Sequence, residues 1–210
     1  RMDPNRSFTR GDVVTGPPQP PGGGAEGGDG TRMLPVLPDP LPSSAPPSFH
    51  TLTKPTGAVC NLDCTYCFFL SKEALYPGSK FRMTEHMQEQ YVRQLLESHQ
   101  TQHVTVAWQG GEPTLMGLDF YRHLMALVER YKRPGQVIEH TLQTNGTKVD
   151  REWADFFAEH GFLVGLSMDG PPDIHDAQRV DKGGKGTHHQ VMRAAELMTA
   201  AGAEFNILCT

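Results

Sequence analysis

Three cysteines crowd into Cys60-Asn61-Leu62-Asp63-Cys64-Thr65-Tyr66-Cys67, and the fourth and last cysteine of the 210-residue chain, Cys209, lies far away in sequence. Thiolates this close repel one another unless a cation or a cluster takes up their charge. A structural zinc ion calls for a fourth ligand, and none lies within reach of this stretch in sequence. A cluster of four irons and four sulfides (4Fe-4S) fits three thiolates well, because each holds one iron and the fourth iron stays open to a small molecule. The stretch therefore reads as a reaction centre built on Cys60, Cys64 and Cys67, with a zinc-binding scaffold as the alternative.

Three further stretches carry residue types suited to holding a ligand. In Gln109-Gly110-Gly111-Glu112-Pro113 the paired glycines let the backbone approach a ligand closely. Carbonyls and the carboxylate there can receive an ammonium group, and Pro113 pins the exit of the turn. Gln143-Thr144-Asn145-Gly146 ends in a turn dipeptide. Ser167-Met168-Asp169-Gly170-Pro171 is followed by His175-Asp176-Ala177-Gln178-Arg179, whose guanidinium can grip a carboxylate. Taken singly these are turns, a strand-end serine and a surface arginine. His175 and Asp176 read as a structural pair bracing their loop.

The elements that must position these residues alternate. Phe49–Lys54 reads as a first strand leading into the cysteine loop, and Val104, Val106 and Trp108 alternate as a second. Val137–Thr144, Phe162–Met168 and Glu204–Cys209 read as three more. Between them, Thr84 caps a helix with Met87, Tyr91, Val92, Leu95 and Leu96 at helical spacing. A second helix over about 118–131 carries Phe120, Leu124, Leu127, Val128 and Tyr131 on one side. Asp150 caps a third, with Trp153, Phe156 and Phe157, ended by Gly161, and a fourth runs from about Thr187 to Ala201 and closes at Gly202. Strands alternating with helical crossovers predict right-handed β/α units on a parallel sheet, with ligands gathered outside the carboxyl ends of the strands. The four chemical stretches all fall at such ends. Met83, Met87, Met116 and Met125 read as packing residues, and Cys209 as an inert thiol on a buried strand.

Composition narrows the class. Hydrophobic residues make up 37% and charged residues 20%, with a net charge of −5, which gives no sign of a nucleic-acid partner. No apolar run approaches the length of a membrane span, so no membrane association is expected. Clustered cysteines are a poor disulfide framework, and an oxygen-sensitive cluster needs a reducing compartment, which points to the cytoplasm. Residues 1–48 hold 11 of the 17 prolines and too little apolar surface to fold, so they read as a disordered tail ahead of a domain over 49–210. The chain begins with Arg1 and stops at Thr210 directly after a strand-like run, as expected of a fragment.

The cysteine spacing, with an aromatic residue just before the third cysteine, resembles that of the radical S-adenosylmethionine (SAM) enzymes. Cys-x3-Cys-x-Tyr-Cys-Phe, Gln-Gly-Gly-Glu-Pro-Thr-Leu, Gln-Thr-Asn-Gly and Ser-Met-Asp-Gly, in this order, are most similar to the anaerobic sulfatase-maturating enzymes, over residues from about Phe49 to the end. The resemblance implies an α/β fold, a partial (β/α)6 barrel truncated after about five parallel strands. It implies that the open iron chelates SAM, whose reductive cleavage gives a 5′-deoxyadenosyl radical that oxidises a Cys or Ser of a target sulfatase to Cα-formylglycine. It further implies that Gly111 holds the amino group of SAM, Ser167 contacts SAM, Arg179 grips its carboxylate, and the Tyr66 backbone meets the adenine. Gln109 and Asn145 become candidate substrate contacts. Phe69 departs from the family, which often has tyrosine there, so a hydroxyl contact near the cavity is missing. The implied partners are an unfolded sulfatase polypeptide and a flavodoxin- or ferredoxin-like electron donor. The family's aspartate base and further iron–sulfur clusters lie in a C-terminal region beyond residue 210, so this fragment is expected not to complete turnover. Another radical SAM peptide maturase, making thioether or other crosslinks, is the alternative.

Overall fold

The computed structural model describes residues 46–210. The tail expected over 1–48 lies outside the described residues as far as residue 45. Five strands form one sheet: β1 (Leu52–Thr53), β2 (His103–Trp108), β3 (Val137–Thr144), β4 (Phe162–Ser167) and β5 (Glu204–Leu208). They lie in sequence order and every pair is parallel. One row runs across the sheet as Thr53, Trp108, Leu142, Val164 and Phe205, so the carboxyl ends of β2, β3 and β4 come out side by side.

The helices are α1 (Glu85–Ser98), α2 (Leu118–Tyr131), α3 (Arg151–Glu159), the short α4 (Pro172–Gln178) and α5 (His188–Ala201). Thr84 caps α1 by accepting from Met87 N, and Asp150 caps α3 by accepting from Trp153 N, which satisfies amides that each first turn leaves free. Gly202, left-handed at φ 76°, closes α5. Val104, Val106 and Trp108 of β2, Leu142 of β3 and Phe162, Val164 and Leu166 of β4 pack into one core with the apolar stripes of α1, α2, α3 and α5. The other face of the sheet bears Gln109, Thr141, Gln143, Gly165 and Asn206, and lines a cleft of about 220 Å³. Leu52, Leu163 and Leu208 line the same cleft, and helices on one face with the other face uncovered make the arrangement of a partial barrel with its lumen open.

The structure corrects four expectations and adds to a fifth. The first strand is only Leu52–Thr53, because the Phe49 backbone meets the His99 ring rather than a strand. Met87 is 55% exposed; the inward register of α1 is Gln88, Val92, Leu95 and Leu96. Gln88 fits there because Phe120 O accepts from its amide and its oxygen meets His123. Phe120 packs against the core on the expected side of α2, and Tyr121 beside it is the fully buried aromatic. The loop expected over His175–Gln178 is helical, α4, with proline at its start. Cys209 lies past the end of β5 and is exposed.

Candidate functional site

A cavity of about 380 Å³ opens at the carboxyl ends of the strands. Cys60, Cys64, Cys67, Tyr66, Gln109, Gly111, Asn145, Ser167 and Arg179 all line it. Every residue singled out from the sequence as a cluster, cofactor or substrate contact thus faces one space, although they come from four separate loops.

The cysteine loop is built on the turn after β2. Gly111 N donates to Gly57 O and Glu112 N to Val59 O, so the segment 57–59 is laid along the glycine pair. Gly110 has φ +136°, a conformation open to glycine. A Cβ on Gly111 would stand 2.0 Å from Val59 O. The other side of the loop pairs with the segment after α4, through Asp63 N to Val180 O and Thr65 N to Gln178 O. Leu62, almost wholly buried, anchors the middle.

The three cysteines are free and half-buried. Burial pushes the Cys60 thiol up to about 11, and it raises Cys64 as well, while Arg179 opposes it at Cys64. Thiols so placed lose their protons only to a cationic centre that ligates them. Among the described residues no three His, Cys, Asp or Glu side chains converge as ligands of a single ion. Three thiols on one loop offer one ligand to each of three corners of a cluster and leave a fourth corner open.

Asp169, which the sequence offered only as part of a motif, is the hub of the opposite wall. Its carboxylate is 4% exposed and accepts from Arg179 Nε at 2.8 Å and Nη2 at 3.0 Å, from Tyr66 Oη at 2.5 Å and from Thr210 N at 3.1 Å. Burial alone would raise its pKa, but Arg179 and Tyr66 outweigh that and hold it below the usual carboxylate range. Burial, with the same contact adding to it, drives the Tyr66 phenol up to about 12. Arg179 also lies over the Tyr66 ring, 5.4 Å from its centroid. His175 and Asp176 brace this wall, though not as a pair with each other. His175 Nδ1 accepts from Asp169 N and its Nε2 meets Thr187, while Asp176 accepts from His188 N.

Two polar residues sit differently from the sequence reading. Glu112 does not offer its carboxylate to the cavity. It is 1% exposed and accepts from Thr114 N, Thr114 Oγ1, Thr144 Oγ1 and Asn145 N, tying the turn after β2 to the end of β3. Asn145 lines the cavity, but both of its amide hydrogens are spent, on Cys60 Sγ and Asn61 Oδ1, and its oxygen accepts from Thr147 N and Oγ1. No free donor remains there for a substrate. Gln109 keeps its place: its Nε2 donates to Gln143 Oε1, and Lys54 Nζ stands 3.5 Å from its own oxygen. Lys54 also lies 4.2 Å over the ring of Phe69, the position where tyrosine was expected. Asn61, Lys54 and Gln143 were given no individual role from the sequence because these partners are 34 or more residues away.

The profile of the Radical SAM superfamily matches residues 55–210. A Cysteine-type anaerobic sulfatase-maturating enzyme of Clostridium perfringens is 44% identical over 164 residues, covering 78% of this chain and 44% of the relative. A Serine-type anaerobic sulfatase-maturating enzyme of Bacteroides thetaiotaomicron is 39% identical over 160 residues, covering 76% of this chain and 38% of the relative. The chain thus spans less than half the length of either. The solved structure of native anSMEcpe with bound AdoMet superposes with a TM-score of 0.70 at 45% identity, over 75% of this chain and 43% of that one.

Proposed function

The chain belongs to the radical SAM superfamily, and from that membership we propose that it supplies the cluster- and SAM-binding part of an anaerobic sulfatase-maturating enzyme. The observation that carries the reading is the convergence of three free cysteines, a Gly-Gly turn, a strand-end serine and a fixed arginine on one cavity. When bound, a 4Fe-4S cluster and SAM would supply one-electron cleavage to a 5′-deoxyadenosyl radical, which takes the first hydrogen atom from the Cβ of a Cys or Ser of a sulfatase polypeptide; Cα-formylglycine needs a proton and a second electron to leave as well, to the base and the further iron–sulfur clusters that the family uses. Cys60, Cys64 and Cys67 hold the cluster. The Gly111 backbone receives the amino group of SAM, the Tyr66 backbone meets its adenine, and the Ser167 hydroxyl contacts it. Arg179 spends Nε and Nη2 on Asp169, which leaves Nη1 to donate to the SAM carboxylate. Gln109, held between Lys54 and Gln143, faces the substrate side. Phe68 and Phe69 line the cavity. The polypeptide substrate enters unfolded, and a flavodoxin- or ferredoxin-like protein delivers the electron in the cytoplasm. Among the described residues no helix is long and apolar enough to cross a membrane.

The test is anaerobic incubation of the polypeptide that carries these residues with SAM, a reductant and a sulfatase-derived peptide. Release of 5′-deoxyadenosine is expected from residues 1–210 alone, and an aldehyde at the peptide's Cys or Ser only where the family's base and further clusters are also present. A thioether crosslink in place of the aldehyde would transfer the chain to another class of peptide maturase. Failure to release 5′-deoxyadenosine from iron-loaded protein would overturn the reading altogether.

A further inference from the structure

Cys60 differs from the other two cluster cysteines in what surrounds its sulfur. Its Sγ accepts from Leu62 N at 3.4 Å and from Asn145 Nδ2 at 3.6 Å. Among the described residues no side-chain donor outside the cysteine loop is hydrogen-bonded to Cys64 or Cys67. The orientation of the Asn145 amide follows from its neighbours. Asn145 Nδ2 donates to Asn61 Oδ1 at 3.0 Å, Asn61 Nδ2 to Thr147 Oγ1 at 2.8 Å, and Thr147 Oγ1 to Asn145 Oδ1 at 2.8 Å. The three side chains close a ring in which each donor meets an acceptor. Thr147 N adds a second donor to Asn145 Oδ1 at 3.0 Å. Turning the amide over would set its oxygen against Asn61 Oδ1 and its NH2 against the Thr147 N–H, two repulsive contacts that the present orientation avoids. One amide hydrogen is therefore always left for the Cys60 sulfur. The ring is itself pinned from below, since Asn145 N donates to the buried Glu112 carboxylate at 2.7 Å.

Resting on the reading that the three cysteines hold the cluster, we propose that the Asn61–Asn145–Thr147 ring is a tuning device, with Asn145 the positioning residue that raises the reduction potential of the cluster through Cys60. Reduction adds negative charge to the cluster and its sulfurs, and a donor fixed on one sulfur stabilises that charge. The donor is held before any electron arrives, so it costs no reorientation at reduction. It acts on Cys60 alone and so distinguishes the iron at that corner from the other two held by protein.

The experiment is anaerobic iron loading of wild-type protein, Asn145→Ala and Thr147→Val, followed by iron analysis and a redox titration monitored by the electron paramagnetic resonance of the reduced cluster. Asn145→Ala is expected to move the midpoint to a more negative potential. Thr147→Val, which removes one link of the ring and keeps the amide, is expected to move it the same way by less. The direction separates tuning from loosening, because a variant that merely lets water in stabilises the more highly charged reduced state and moves the midpoint positive. If Asn145→Ala loads no iron, Thr147→Val decides: a negative shift supports the proposal. A midpoint that stays put or moves positive in the variants that load overturns it. Wild-type protein that takes up no iron overturns the cluster reading, and the proposal with it.

Discussion

The cavity carries two kinds of side chain, and they respond differently to substitution. The cysteines are replaceable only at the cost of the group they hold. Cys60→Ala, Cys64→Ala or Cys67→Ala should each abolish uptake of about four irons per chain, the content of one cubane, while Cys209→Ala, outside the cavity and exposed, should load normally. Iron and sulfide analysis after anaerobic reconstitution measures this. Arg179 acts through geometry. Its fork engages both oxygens of Asp169 through Nε and Nη2, a pairing a lysine cannot reproduce. Arg179→Lys should therefore keep the iron content but weaken SAM binding, on the order of tenfold or more for a lost charge-assisted hydrogen bond. Equilibrium binding of SAM to the loaded variant is the check, and an unchanged affinity would return Arg179 to a purely structural role.

At the scale of elements, the turn after β2 is the part least tolerant of change. Gly111 is pressed against the backbone of Val59, which cannot move aside without unseating the cysteine loop. Gly111→Ala is expected to cost about 2–4 kcal/mol of stability, the range for steric strain in a packed site. Gly161, at the end of α3, has φ +61° but open space around its missing Cβ. Gly161→Ala should cost only about 1 kcal/mol, from the backbone conformation alone. Urea unfolding of the two variants gives the comparison, and equal losses would show that the glycine pair is not a contact surface for the cysteine loop.

For the molecule as a whole, acid sensitivity follows from a histidine outside the site. His140 of β3 is buried, its ring stacks on Phe162 at 4.9 Å, and among the described residues its Nδ1 has no partner. Burial, with a smaller push from His160, lowers its pKa from 6.5 to about 4. The unfolded chain then binds a proton that the folded one refuses. The stability is present above pH 6.5 and falls as the pH drops from 6.5 towards 4, by about 3 kcal/mol at most for a shift of this size. Carboxylates add their own acid dependence. The quantity to measure is therefore wild type minus His140→Leu in urea at pH 7 and pH 4.5, and a difference that does not change between them would show that His140 ionises freely in the fold.

Much of this was legible in the sequence, because it is written in local terms. Periodicity set β2, β3, β4, α2 and α3, caps at Thr84, Asp150 and Gly202 fixed helix ends, and the spacing of Cys60, Cys64 and Cys67 marked the reaction centre. Parallel β/α order then put the four motifs at one end of the sheet. What the sequence could not decide was which way polar groups turn once they arrive there. Glu112 turns inward because four donors from the ends of β2 and β3 meet it in a space closed to water. Asn145 serves Cys60 because Asn61 and Thr147, 84 residues and two residues away, take the rest of its amide. Asp169 governs Arg179 only because Tyr66, 103 residues earlier, and Thr210 close on the same carboxylate. A buried polar group must find its partners wherever the fold brings them, and those partners are set by tertiary packing rather than by any local pattern.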